Sequence, residues 1–530
     1  MSKFLLFFFL LPITQTFAQN YKVDWGPTYS RKGMNASEYK FLGLHDDNYF
    51  MIMDPQNDNT IKTYDLNHQE ILEYDFEHIR NKTRLGINGA VQTKSGTYLY
   101  MHQFSEKYKE WIIHASKKIN NRFVEPKEVC FHNLENLDKG QLKSGFLGYQ
   151  YQWGAVKGDH VISQDSSKVA FIKFFERNRK KNDDIVAISV FDDQMQLLWK
   201  DVFYYQFGDK NATINQQRVT NDGEIYLVGE SEKNRSSKIR SKKSKNLPEE
   251  VFTIYHINQE GILSQDVVLD KGKAPIDVGL YFPNNNTDQY LMAGLYTTDE
   301  FSSGRINGVF FTYGDRDFTE HEIKIHEFED EFIKGLVSNK ALKKGKGLNA
   351  RYRLKDMLEY DNGTIGFIAE ETYTRTNTTY TDQFGRTAFG AGGFGTTRQV
   401  QITYFTNNII IPKFDSQGNM LNIQRVDKTF ASLSQYNTSY SLAINKGKAY
   451  LVFNDTKSRS EKKDMGKKGR RFTDLVVIGE DGAIETRETL FSDREIDLEF
   501  TTYFSGYNDE YMLIGSTWRR KYAMGTIKFD

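Results

Sequence analysis

The sequence predicts an all-β chain folded as an eight-bladed β-propeller, with seven blades as the alternative, in which a strand near the amino terminus closes the last blade. Three observations lead there. Very apolar runs of about five to seven residues recur eight times, the mark of a repeat architecture. Hairpin turn signals punctuate the chain, among them Asn221-Asp222-Gly223, Asp361-Asn362-Gly363, Gln417-Gly418-Asn419 and Asp481-Gly482. Both ends are also incomplete. The eighth unit stops at Asp530 after its third strand, and the strand Tyr21–Trp25 stands at the start with no unit of its own. A ring in which that strand completes the last blade removes exposed sheet edges.

Taken in order, residues 1–18 read as a cleaved secretory signal. Lys3 precedes the apolar stretch Phe4–Leu11, and Thr16 and Ala18 supply the small residues before the cut. That stretch is too short to cross roughly 30 Å of hydrocarbon as a helix, and no other segment approaches about 18 consecutive apolar residues, so no transmembrane helix is expected. Residues 19–530 then form one propeller domain, secreted or periplasmic.

The eight runs are Tyr49–Met53, Thr97–Met101, Val169–Phe175, Ile225–Gly229, Tyr290–Tyr296, Ile365–Ala369, Ala449–Phe453 and Tyr511–Gly515. Strands buried on both faces read as continuous apolar runs, as the inner strands of packed blades must. A membrane barrel would instead alternate lipid-facing and lumen-facing residues over segments of about 10, and the mean hydropathy of −0.62 is low. Third and fourth strands follow each run, as Ile185–Phe191 and Leu197–Tyr204 in unit 3, Val251–Ile257 and Ile262–Leu269 in unit 4, and Asp474–Ile478 and Ile484–Leu490 in unit 7. The insertion 329–346 reads as a short helix, acidic at its start and rich in lysine at its end.

Composition narrows the class. With 38% hydrophobic and 14% aromatic residues the chain has the apolar surface to fold, which excludes disorder. Lys plus Arg number 70 and Asp plus Glu 70, so global charge argues against nucleic acid as the partner. The signal ending Thr16-Phe17-Ala18-Gln19, the segment Trp25-Gly26-Pro27, the stretch Asn362–Glu370 and the stretch Asn408–Gly418 resemble uncharacterised secreted β-propeller-like proteins of Bacteroidota-type bacteria. The resemblance covers most of the mature chain. It implies an envelope location and carries no established active site.

Catalytic and metal motifs are sparse. The ten histidines form no zinc-type spacing; His321 and His326 sit at an odd offset, which places them on opposite faces of a strand. No metal and no cofactor is expected. Cys130 is the only cysteine and reads as a small buried hydrophobe. Gly390–Gly395 matches GxGxxG, but a pyrophosphate site needs a strand before it and a helix after it. Here it lies within Thr372–Gln399, read as a long loop whose aromatics (Tyr373, Tyr380, Phe384, Phe389, Phe394) are placed to cover the ring's mouth or stack on sugars. Acids recur where the apolar runs end, at Asp54, Glu176, Glu230, Glu370 and Asp455. As strand-end acids they face water or pair with lysines. As paired carboxylates they would serve acid/base chemistry on a glycosidic bond, with Glu370 and Glu230 as the catalytic candidates.

The sharper signal is basic. Between second and third strands stand Arg177, Arg179, Lys180 and Lys181 in unit 3, and Lys233, Arg235, Lys238, Arg240, Lys242, Lys243 and Lys245 in unit 4. Unit 7 has Lys457, Arg459, Lys462, Lys463, Lys467, Lys468, Arg470 and Arg471, and unit 8 has Arg519, Arg520 and Lys521. In a propeller these connections emerge on one face together with the links between blades, which here carry Lys340, Lys343, Lys344 and Lys346. The expected function is therefore a non-enzymatic binding or scaffolding module that recognises an anionic glycan or envelope protein surface through that face. The alternative is a glycan-active hydrolase or lyase using carboxylates near the central mouth.

Overall fold

The computed structural model describes residues 21–529 apart from 31–38, 46–47, 54–59, 77–78, 81–82, 85–86, 106–107, 135–159, 176–183, 206, 208–212, 234–248, 271, 284–288, 299–304, 319–322, 338–346, 350, 386–392, 457–470 and 519–520. Every one of the eight apolar runs is the second strand of a separate antiparallel sheet. Blade 4 shows the pattern. Thr213–Val219 is innermost, and Ile225–Lys233, Glu249–Asn258 and Gly261–Asp266 follow outward in sequence order. The turns between first and second strands use the residues that the sequence supplies. In blade 6 Gly363 takes a φ of +75°, its N–H donates to the Tyr360 carbonyl at 2.8 Å, and Asn362 Oδ1 accepts from the Thr364 N–H.

Among the described residues eight apolar clusters hold the ring, each built from two neighbouring blades. Val91, Trp111 and Ile113 of blade 2 pack with Val169, Phe171 and Ala187 of blade 3. Leu358, Ile368 and Ile409 of blade 6 pack with Leu451, Phe453 and Val476 of blade 7. The last cluster closes the circle, joining Leu44, Tyr49 and Tyr64 of blade 1 to Phe504, Leu513 and Tyr522 of blade 8. Because blades bury both faces against their neighbours, the second and third strands have no solvent side and lose the alternation of a one-faced sheet.

Closure follows the expected route. Val23–Trp25 lies antiparallel on Lys521–Lys528, with Val23 opposite Ile527 and Trp25 opposite Gly525, as the outermost strand of blade 8. A side chain at Gly525 would run into Val23 and Trp25, so the glycine lets the closing strand approach. Tyr29 then stacks on Tyr522 at 5.1 Å.

Two expectations change. The helix is Asp330–Leu336, shorter than the 329–346 insertion; 338–346 lies outside the described residues. Thr372–Gln399 is not an irregular loop. The second and third strands of blade 6 continue through it as Ile365–Gly385 and Gly393–Phe414, a two-stranded ribbon paired out to Gly385 and Gly393. Of the GxGxxG glycines, Gly390 and Gly392 lie outside the described residues, and Gly395 belongs to a strand that leads into more strand rather than a helix. Side chains of residues 379–399 lie outside the described set, and with them Tyr380, Phe384, Phe389 and Phe394.

Candidate functional site

Each blade's innermost strand runs from one face of the ring to the other, the second returns, and the third and fourth repeat the passage. Connections from second to third strand, and from one blade to the next, therefore share a face. On that face the blade-6 ribbon stands, and the second strands carrying Glu230, Glu370 and Asp455 end there.

The innermost strands of blades 4, 5 and 6 are built alike. Each carries one extra residue at the same depth: Asn215, Ile276 and Lys355. The bulge turns the following side chain toward the next blade. Gln216 Oε1 accepts from the Leu280 N–H at 2.6 Å, Asp277 Oδ2 accepts from the Leu354 N–H at 2.7 Å, and Asp356 Oδ2 accepts from the Tyr440 hydroxyl at 2.6 Å. Blade 4 is thereby fastened to 5, 5 to 6 and 6 to 7. Burial pushes the Asp277 carboxyl up to about 6 despite the Arg353 charge and the two N–H donors that oppose it.

Glu230 and Glu370 occupy equivalent places, one step beyond Gly229 and Ala369, opposite Thr213 and Arg353. Glu370 is wholly buried. Its Oε1 accepts from Lys428 Nζ at 2.5 Å, its Oε2 from Ser439 Oγ at 2.7 Å, and Lys355 Nζ lies 4.0 Å away. Lys428 also donates to the Ser439 carbonyl at 2.9 Å. Burial lowers both lysines below the ordinary range, and the Glu370 charge works against that shift. Both carboxylate oxygens are engaged inside the protein, so Glu370 is a strut between blade 6 and the segment leading to blade 7. Glu230 is half-buried and accepts one hydrogen bond from Asn215 Nδ2 at 2.6 Å.

Asp455 is also spent. Arg487 Nη2 donates to Asp455 Oδ2 and to Asp474 Oδ2, both at 2.9 Å, and Asp455 Oδ1 accepts the Thr429 N–H. Arg471 pairs with the buried Glu499. Burial pushes the Glu499 carboxyl up, and Arg471 draws it back. Asp54 and Glu176 lie outside the described residues, as do Lys238, Arg240, Lys242, Lys243, Lys245, Lys462, Lys463, Lys467, Lys468, Arg470, Arg519 and Arg520. The strands that flank these basic runs are described. Ile225–Lys233 and Glu249–Asn258, Lys448–Asp455 and Phe472–Ile478, and Tyr511–Trp518 and Lys521–Lys528 are all second and third strands, and so meet the connection face together.

Sequence reasoning missed Lys355, Lys428 and Ser439 around Glu370. It also missed a stack at the foot of the ribbon, where cross-strand partners Tyr373 and Phe405 lie with centroids 4.7 Å apart and planes 2° from parallel. The Arg351 guanidinium caps Tyr373 at 4.2 Å and Arg375 caps Phe405 at 5.7 Å. Cys130 is buried as expected, with its Sγ 3.3 Å from Ser189 Oγ. Among the described residues no three His, Cys, Asp or Glu side chains converge on a metal position, and no helix is long and apolar enough to cross a membrane.

No protein-family model and no curated protein matches the chain. Among solved structures it is similar to the β-propeller domain of the Trilobed protease from Pyrococcus furiosus, at 9% identity and a TM-score of 0.33, over 86% of this chain and 98% of that one. It is similar to polysaccharide lyase Uly1 at 9% identity and a TM-score of 0.33, over 97% of this chain and all of that one. It is also similar to a prolyl endopeptidase at 10% identity and a TM-score of 0.37, over 90% of this chain and about half (54%) of that one. Hydrolases and lyases thus stand among the neighbours, at scores too low to carry an argument about activity. The chain is an eight-bladed β-propeller on its own strand order, with the eight interblade cores completing the ring.

Proposed function

We propose that this chain is a secreted or periplasmic binding or scaffolding propeller, and that its connection face takes an anionic partner, a glycan or a protein surface of the cell envelope. The observation that carries the reading is topological. The strands flanking the basic runs of units 4, 7 and 8 all end on one face, which supports reading those runs as one cationic surface on a chain of zero net charge. Two of the counted cations are offset, Arg471 by Glu499 and Lys521 by Asp497. Glu370 and Asp455 are held in ion pairs within and between blades.

The test replaces Lys238, Lys242, Lys243 and Lys245, and separately Lys462, Lys463, Lys467 and Lys468, with Gln. Binding to anionic envelope polysaccharide is then titrated against salt. We expect each set to weaken binding by about tenfold or more at 50 mM salt and to flatten the salt dependence, as loss of counterion release requires. Unchanged affinity in both sets would sink the reading.

A further inference from the structure

We propose that the foot of the blade-6 ribbon is a recognition site for a polysaccharide bearing carboxylate or sulfate groups, read through the stacked pair Arg351 and Arg375. The inference rests on the reading of the connection face as an anion-binding surface and narrows it to a ligand class.

Two stacked rings, Tyr373 and Phe405, each have an arginine guanidinium over them, Arg351 and Arg375. A guanidinium placed over a ring gains cation–π attraction and still has N–H donors to offer another partner. Both residues are exposed, and among the described residues neither guanidinium is paired with a carboxylate. Three other arginines are by contrast paired: Arg425 with Asp427, Arg487 with Asp474 and Arg316 with Asp222. Arg351 is anchored at its backbone as well, its carbonyl accepting the Thr372 N–H at 2.9 Å. A guanidinium already held over a ring loses less freedom when it binds, and its fork matches a carboxylate or sulfate with two parallel hydrogen bonds.

The neighbours on the same ribbon face select the ligand further. Alternation places Asn377 beyond Arg375 on one strand and Gln401 opposite it on the other, both exposed and facing each other across the ladder. Two charged forks followed by two neutral amides suit a chain that offers acid groups and hydroxyls in turn. Nucleic acid fits less well. Single strands bind through bases stacked on open aromatic faces, and here Tyr373 and Phe405 stack on each other and each has an arginine over it.

The experiment uses the full chain with polygalacturonate and heparin as probes, and with dextran, duplex DNA and phosphatidylglycerol vesicles as controls. The variants are R351Q/R375Q and R351K/R375K, alongside the loop Lys→Gln sets. The wild type is expected to bind both acidic polysaccharides and not dextran. R351Q/R375Q should lose about tenfold or more for the polysaccharides and stay within about twofold for DNA and vesicles. R351K/R375K keeps the charge without the fork and should recover less than half of the lost binding free energy. Full rescue by lysine, an equal loss for DNA, or polysaccharide affinity within about twofold of wild type in R351Q/R375Q overturns the inference. Equal losses for every polyanion leave the basic-face reading standing alone. Loss in the ribbon variants with the loop sets unchanged upholds the ribbon site and sinks the basic-face reading.

Discussion

Glu230 and Glu370 stand at the same step of the same strand in blades 4 and 6, yet one is half-exposed on a single amide and the other is sealed in an ion pair. The strand does not decide between these fates. The bulge residue of the innermost strand is Asn215 in blade 4 and Lys355 in blade 6, and only blade 6 is followed by a segment that returns a lysine, Lys428, to the acid. An acid's position in a repeat thus says where it is. The neighbours, drawn from other parts of the chain, say whether it can meet solvent.

The comparison is broken most directly by Lys428→Met. Removing one partner of a buried pair leaves an uncompensated charge, so a loss of about 3–5 kcal/mol is expected from denaturant titration. A loss below about 1 kcal/mol would mean that Glu370 reaches water or another cation, and blade 6 would then resemble blade 4.

Asp277, buried between the two blades, sharpens it through pH. Its folded value lies near 6, above the ordinary 3.8, so the ionised form is the less favoured one in the fold. The native state therefore holds a proton that the unfolded chain releases. This contribution is full below about pH 4 and is lost as pH rises toward 6, by roughly 3 kcal/mol in all. Asp277→Asn should flatten that slope in denaturation midpoints measured between pH 4 and 7. An unchanged slope would show that Asp277 does not titrate there.

The smallest effect belongs to Glu230→Gln. A half-buried acid with one amide partner should change stability by less than about 1 kcal/mol, since glutamine still accepts from Asn215. A cost comparable to that of Lys428→Met would show that the two blades bury their acids alike.

The second strands were legible because burial on both faces leaves a signal within five or so consecutive residues. The ribbon was misread for the complementary reason. Its alternation is carried by Thr372, Thr374, Thr376 and Thr378 rather than by large apolar groups, and glycines at its far end suggested a loop. The setting of Glu370 was beyond the sequence altogether. Lys428 and Ser439 stand 58 and 69 residues away, in a connecting segment where a lysine ordinarily means solvent. The Arg351–Tyr373–Phe405–Arg375 cluster joins three separate segments, brought together by the register of Tyr373 on Phe405 and by the Thr372 N–H bond to the Arg351 carbonyl.

Trp25 meets Gly525, 500 positions further along. This closing strand can pair only once the strand Lys521–Lys528 is in place, and the other blades can assemble without it. Until then blade 8 ends in an open edge able to capture a strand from another molecule. Slow steps in refolding, and any exchange of strands between chains at high concentration, should therefore gather at this seam, leaving the seven earlier blades already docked.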